Sequence, residues 1–144
     1  EAERQEQEAA AARARAAAAT PIDYSKLGNY AGGISTAISM AGNVPYCWGG
    51  TSPSTGFDCS GFVQYCLGLS ARTTSAQQAL GTHRYDVANA PAGALYFYGD
   101  EYSPYHVAIS LGNNSAVQAL NPSDGIQVVN NANLEPSFYV VIGQ

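Results

Sequence analysis

The pattern of apolar and polar positions divides the chain into three textures. Residues 1–19 are Ala, Glu, Gln and Arg without a Gly, Pro or aromatic residue, and they read as a helix. Its acidic residues come first and Arg13 and Arg15 later, which complements the helix macrodipole. Thr20-Pro21 ends it. The segment has no Leu or Ile at heptad positions, so it carries no coiled-coil seam of its own. It reads either as a solvated linker helix or as the tail of a longer coiled coil, contacting a partner helix or its own domain. From Tyr24 to Met40, apolar residues at Leu27, Tyr30, Ala31, Ile34, Ala37 and Ile38 form a helical stripe, weakened by Gly32-Gly33. Gly42 to Phe57 reads as a long loop, Asp58 to Leu69 as a helix, and Ser75 to Leu80 as a short helix. After Pro91 the pattern changes to short strands: Ala94–Tyr98, His106–Leu111, Ala116–Leu120, Ile126–Val129 and Phe138–Ile142. Helices followed by about five turn-separated strands predict an α+β domain with an antiparallel sheet.

Composition sharpens the division. Residues 1–20 hold ten Ala, four Glu and three Arg, a helical linker set before a body spanning 21–144. That body carries every Tyr, Phe, Trp, Cys, His, Gly and Pro, with three basic residues (Lys26, Arg72, Arg84) against seven acidic ones. With 46% hydrophobic residues the chain is too apolar to be disordered, and at net charge −5 it is a poor partner for phosphate backbones. Nucleic acid and anionic membrane surfaces are therefore excluded as first readings. No apolar run reaches the roughly 18 residues of a membrane span. The low charge leans toward a secreted protein. A chain beginning at Glu1 reads as a processed or trimmed piece.

Chemistry concentrates in few residues. Cys47, Cys59 and Cys66 are odd in number and their spacing fits no zinc or redox pair, so no metal or cofactor is expected. Cys59 and Cys66 lie about 10 Å apart along a helix, too far for a disulfide. A Cys47–Cys66 bond stays open in an oxidising compartment. Cys59 sits where a loop becomes a helix, where unpaired N–H groups and the dipole favour a thiolate, and Gly61 leaves room for a substrate beside the sulfur. The alternative is a buried structural thiol. His106 opens an alternating strand and is the candidate base, with a satisfied core residue as the alternative. His83 reads as a solvated loop residue.

The run Pro45-Tyr46-Cys47-Trp48-Gly49-Gly50, followed by Gly56-Phe57-Asp58-Cys59-Ser60-Gly61-Phe62-Val63, resembles the signature of the NlpC/P60 cysteine peptidases. Arg72-Thr73-Thr74-Ser75-Ala76-Gln77-Gln78, the strand after Pro91, and His106-Val107-Ala108-Ile109-Ser110-Leu111-Gly112 resemble further segments of that family. The resemblance implies a papain-like α+β fold and a catalytic set of Cys59, His106 and a third polar group. Twelve residues after the histidine, where the family often has His, this chain has Gln118, whose side-chain oxygen would accept from the imidazole Nδ1–H. The Cys59 backbone N–H and the Tyr46 hydroxyl would meet the oxyanion; the alternative for Tyr46 is a loop aromatic packed on Trp48. Asp58, Ser60, Arg72 and Ser75 would line the substrate groove.

The implied activity is hydrolysis of peptidoglycan stem peptides, at the bond between D-γ-glutamate and the diamino acid, by a secreted or wall-associated bacterial protein. Two other readings stand beside it. One is a papain-like amidase or acyltransferase acting on another amide. The other is a wall-binding module whose active site has decayed, given Gln118.

Overall fold

The computed structural model describes Ile22 and residues 30–144. The expected helix over 1–19 and the start of the one expected from Tyr24 lie outside the described residues. Three helices are described: α1 (Ala31–Met40), α2 (Cys59–Leu67) and the short α3 (Thr74–Gln77). α2 is the best-signalled of them. Asp58 caps its start by accepting from the Gly61 N–H, and Gly68 ends it in a left-handed conformation at φ 66°. α3 continues into a 3₁₀ turn, Gln78–Leu80.

The expected long loop before α2 contains one unexpected element. Thr51–Ser52 (β1) and Gly56–Phe57 (β2) pair as a small antiparallel ribbon. Phe57 also forms a parallel bridge with Tyr46, and the Asp58 N–H reaches the Gly50 carbonyl at 3.2 Å. These bonds tie the Tyr46–Gly50 segment to the entry of α2.

The five expected strands are all present: β3 (Leu95–Gly99), β4 (Pro104–Ser110), β5 (Ser115–Asn121), β6 (Gly125–Asn130) and β7 (Phe138–Val140). They form one antiparallel sheet in the order β6-β5-β4-β3-β7. The fold class is α+β, as expected. One face of the sheet carries Leu95, Phe97, Val107, Ile109, Val117 and Ile126 against Ala37 and Met40 of α1 and Phe62, Val63 and Cys66 of α2.

The second face of the sheet is buried too. Tyr96, Tyr98, Ala108, Ala116 and Tyr139 pack there with Ala90 and Ala94. Two of the tyrosine hydroxyls find partners at the edge of the layer: Tyr96 donates to the Val87 carbonyl at 3.0 Å and Tyr139 to Asp86 at 2.9 Å.

The Gly32-Gly33 pair that weakens the helical pattern has a packing cause. A Cβ on Gly33 would lie 2.1 Å from the Cys66 carbonyl oxygen, so α1 approaches α2 only because this side chain is absent. Gly33→Ala is expected to cost about 3 kcal/mol by overpacking, measured as the loss in urea-unfolding free energy, whereas Gly32→Ala, with open space around it, is expected to be neutral or stabilising.

Candidate active site

Cys59 is the first residue of α2, and its sulfur lies where three backbone N–H groups, those of Cys59, Ser60 and Val107, act on it. Val107 belongs to β4, so the nucleophile candidate bridges the start of the helix and the strand that carries His106. Cys59 and His106 line one cleft of about 680 Å³, with Tyr46, Trp48, Asp58, Ser60, Arg72 and Tyr105 among its walls. All three cysteines are free, so the open Cys47–Cys66 pairing is not formed. Burial pushes the Cys66 thiol up to about 12, which suits an inert core residue.

His106 is buried, and its ring packs against Tyr98, its partner across β3, at 5.0 Å between centroids. The ring is held by Gln118 at 2.7 Å, as expected, but through the other nitrogen. The contact runs from Nε2 to Gln118 Oε1, where Nδ1 was expected. Gln118 sits on β5 just beyond the paired stretch Ile109↔Val117, and the far nitrogen of the ring reaches it. An amide oxygen only accepts, so Nε2 carries the proton and Nδ1 is the nitrogen with a lone pair for the thiol.

The helix start was expected to favour a thiolate. Instead, burial raises the Cys59 pKa, and the nearby Asp58 carboxylate raises it further, outweighing the backbone donors. Burial lowers His106 at the same time, with the Gln118 hydrogen bond opposing in part. The resting pair is therefore neutral thiol and neutral imidazole. Site-resolved alkylation with iodoacetamide should accordingly be slow at Cys59 near pH 7 in substrate-free protein and climb only above pH 9. A Cys59 reactivity midpoint well below 8.5 would contradict the neutral pair.

Tyr46 lines the cleft close enough to Cys59 and Asp58 for both to raise its pKa, after burial as the larger cause. Its hydroxyl thus stays protonated and able to donate. Trp48 does not pack over it in the manner of a buried ring: it is 87% exposed at the mouth of the cleft. Asp58 caps α2 through the Gly61 N–H at 2.7 Å, and Arg72 bridges Asp58 at 3.0 Å and the Ser60 hydroxyl at 2.9 Å.

Other expectations need correction. Ser75 is not among the cleft walls; Thr73 and Thr74 occupy that side, with Thr74 Oγ1 bonded to the Pro104 carbonyl at 3.0 Å. Ser75 lies one position further round the short helix and is exposed. Gly61 does not make room for substrate: a Cβ there would lie 2.2 Å from the Gly50 carbonyl, so its space belongs to the Tyr46–Gly50 segment. His83 is not solvated. Its ring stacks on Phe138 at 4.3 Å and bonds Glu101 at 2.8 Å, away from the cleft walls.

Sequence reasoning missed Gln77, fully buried, whose side-chain N–H₂ reaches the carbonyls of Ser60 and Ala71, both at 3.0 Å. It joins the first turn of α2 to the segment bearing Arg72. Its only sequence signal was its place in the Arg72–Gln78 run. Among the described residues no group of three His, Cys, Asp or Glu is placed to hold a metal, and no helix is long and apolar enough to cross a membrane.

The model of the NlpC/P60 family matches residues 42–140. The probable peptidoglycan endopeptidase LytE of Bacillus subtilis is 36% identical over 125 residues, covering 83% of this chain and 34% of that protein. The bifunctional muramidase/DL-endopeptidase CwlT of the same organism is 40% identical over 90 residues, covering 58% of this chain and 26% of that protein. The chain thus spans about a third or less of these curated relatives. The crystal structure of the NlpC/p60 domain of the peptidoglycan hydrolase SagA superposes with a TM-score of 0.69 at 37% identity, covering 78% of this chain and 98% of that one. With the family pattern matched over residues 42–140, most of its length, this chain belongs to the NlpC/P60 family.

Proposed function

We propose that this chain is a cysteine endopeptidase of peptidoglycan stem peptides, acting outside the cell at the wall and cutting between D-γ-glutamate and the diamino acid. The observation that carries the reading is the shared cleft: a helix-start thiol beside a histidine whose Nε2 is fixed by Gln118, leaving Nδ1 as the base. The names of LytE and CwlT, an endopeptidase and a DL-endopeptidase, support the substrate and the D-to-L bond.

The reaction begins from the neutral pair. His106 Nδ1 takes the Cys59 thiol proton as the sulfur bonds to the glutamyl carbonyl carbon. The carbonyl π electrons move to oxygen, where the Cys59 N–H and the protonated Tyr46 hydroxyl donate to the new oxyanion. The oxyanion collapses, the C–N bond breaks, and the departing amine of the diamino acid takes the proton from His106. A thioester to Cys59 remains. His106 then deprotonates a water that attacks the thioester, and the sulfur leaves and regains its proton. Gln118 positions the ring throughout and accepts from Nε2–H while Nδ1 gains and loses its proton. Being neutral, it stabilises the imidazolium less than a carboxylate would.

Mass spectrometry of muropeptides digested by the protein tests the bond. The expected products carry a new carboxylate on the glutamyl residue and a new free amine on the diamino acid. Release of an intact stem peptide from the sugar lactyl group, or transfer of an acyl chain, would support the amidase or acyltransferase reading. Binding without any cleavage across several wall types would support a decayed wall-binding module.

A further inference from the structure

Released and wall-bound stem peptides differ at the amino end, and so must any cleft that takes one over the other. A peptide still joined to its glycan has an amide there. One that has been released has an ammonium.

Among the described residues the one carboxylate in the cleft walls is Asp58, and both its oxygens are occupied. Oδ1 accepts from the Gly61 N–H at 2.7 Å and from the Ser60 hydroxyl at 3.5 Å. Oδ2 accepts from the Gly49 N–H at 3.2 Å and from Arg72 Nη2 at 3.0 Å. Arg72 Nη1 also donates to the Ser60 hydroxyl at 2.9 Å, so the guanidinium covers both polar side chains that flank Cys59. Arg72 is also the outer member of the pair: its side chain is 34% exposed against 15% for Asp58. What this end of the cleft presents to a ligand is therefore a cation and its N–H groups, not a free carboxylate. An ammonium would have to displace Arg72 or sit beside it as a like charge. An amide carbonyl would meet N–H donors, and the acyl group beyond it would find the exposed face of Trp48, whose neighbour Gly49 is bonded to Asp58.

We propose that Arg72 is a specificity-determining residue that makes the cleft select stem peptides with an acylated amino end, as in intact wall, over peptides with a free amino end. The proposal rests on the peptidase reading above and names which form of its substrate is taken.

The test uses two synthetic stem peptides that differ only in N-acetylation of the first residue. Their kcat/KM values are measured with the wild-type protein, and their affinities with Cys59→Ala, which binds without turnover. Both ratios are expected to favour the acetylated peptide by about tenfold or more. In Arg72→Met the discrimination should shrink about tenfold, mainly through a lower KM for the free-amine peptide, because Asp58 is then free to meet the ammonium. Asp58→Asn keeps a residue competent to cap the helix and leaves the Arg72 charge unbalanced, so it should widen the discrimination. Tighter binding or faster cleavage of the free-amine peptide by the unaltered cleft would overturn the proposal. So would ratios that stay within about twofold of wild type in both Arg72→Met and Asp58→Asn. Cleavage of neither peptide, with the affinity ratio as expected, would count against the peptidase reading while supporting this one.

Discussion

His106→Ala should reduce kcat/KM for stem-peptide hydrolysis by about 10³-fold, the usual scale for loss of a positioned acid–base group. The loss should be this large because the resting thiol is protonated. With burial and Asp58 raising the Cys59 pKa, little thiolate exists at pH 7 without a base, and no other imidazole borders the cleft to replace it. The pH profile gives a second check. Burial lowers the His106 pKa below its ordinary 6.5, so the ring is already neutral at pH 7, and the acid limb of kcat/KM should fall at a pH below 6.5. An acid limb centred above 7 would contradict this. The same shift acts on stability with a definite sign. Between 6.5 and the lower folded pKa, the unfolded chain binds this proton more readily than the folded one. Stability should therefore fall as pH drops through that window and level off below it, and His106→Ala should remove that contribution.

Tyr46→Phe should lower kcat by about 10²-fold with KM changed little, because the hydroxyl is needed only when negative charge develops on the carbonyl oxygen. The residue is suited to the role because burial, Cys59 and Asp58 all keep its proton on. The backbone bridge to Phe57 and the packing of the ring against the core do not need the hydroxyl, so the fold should hold. A Tyr46→Phe protein with wild-type kcat would remove the hydroxyl from the oxyanion site and leave the backbone N–H as the remaining donor in this account. Comparing the two variants separates the roles. His106→Ala should slow alkylation of Cys59, whereas Tyr46→Phe should leave it unchanged, since the thiol is shifted by burial, Asp58 and backbone N–H groups and not by the Tyr46 hydroxyl.

Much of this was legible in the sequence because local signals and tertiary demands agree there. Asp58 before an apolar helix, with Gly68 after it, fixes α2 within a residue or two. Alternation with turn residues marks all five strands. The helix start made Cys59 a candidate, and the resemblance to the family, with its twelve-residue spacing, pointed to Gln118 as the partner of His106. What was missed depends on contacts between distant segments. The two-residue strands β1 and β2 are too short to show a period. Gly61 lies close to the sulfur in sequence, but the carbonyl of Gly50, from the preceding loop, occupies the space that its missing side chain leaves. Ser75 and Thr74 are adjacent in sequence and point to different sides of one short turn, so a one-residue shift exchanges cleft wall for solvent. The protonation of Cys59 is the sharpest case. The helix dipole is a local feature and predicts a thiolate, while burial, set by the packing around the helix start, raises the pKa most and the neighbouring Asp58 charge adds to it, and together they win.

The most direct test of the central claim is the rate of new diamino-acid amine formed from an N-acylated stem peptide by wild-type protein and by Cys59→Ala. Turnover is expected from wild type and none above background from Cys59→Ala, with unchanged thermal unfolding showing that the variant is folded. Hydrolysis by Cys59→Ala at a tenth or more of the wild-type rate would contradict the claim.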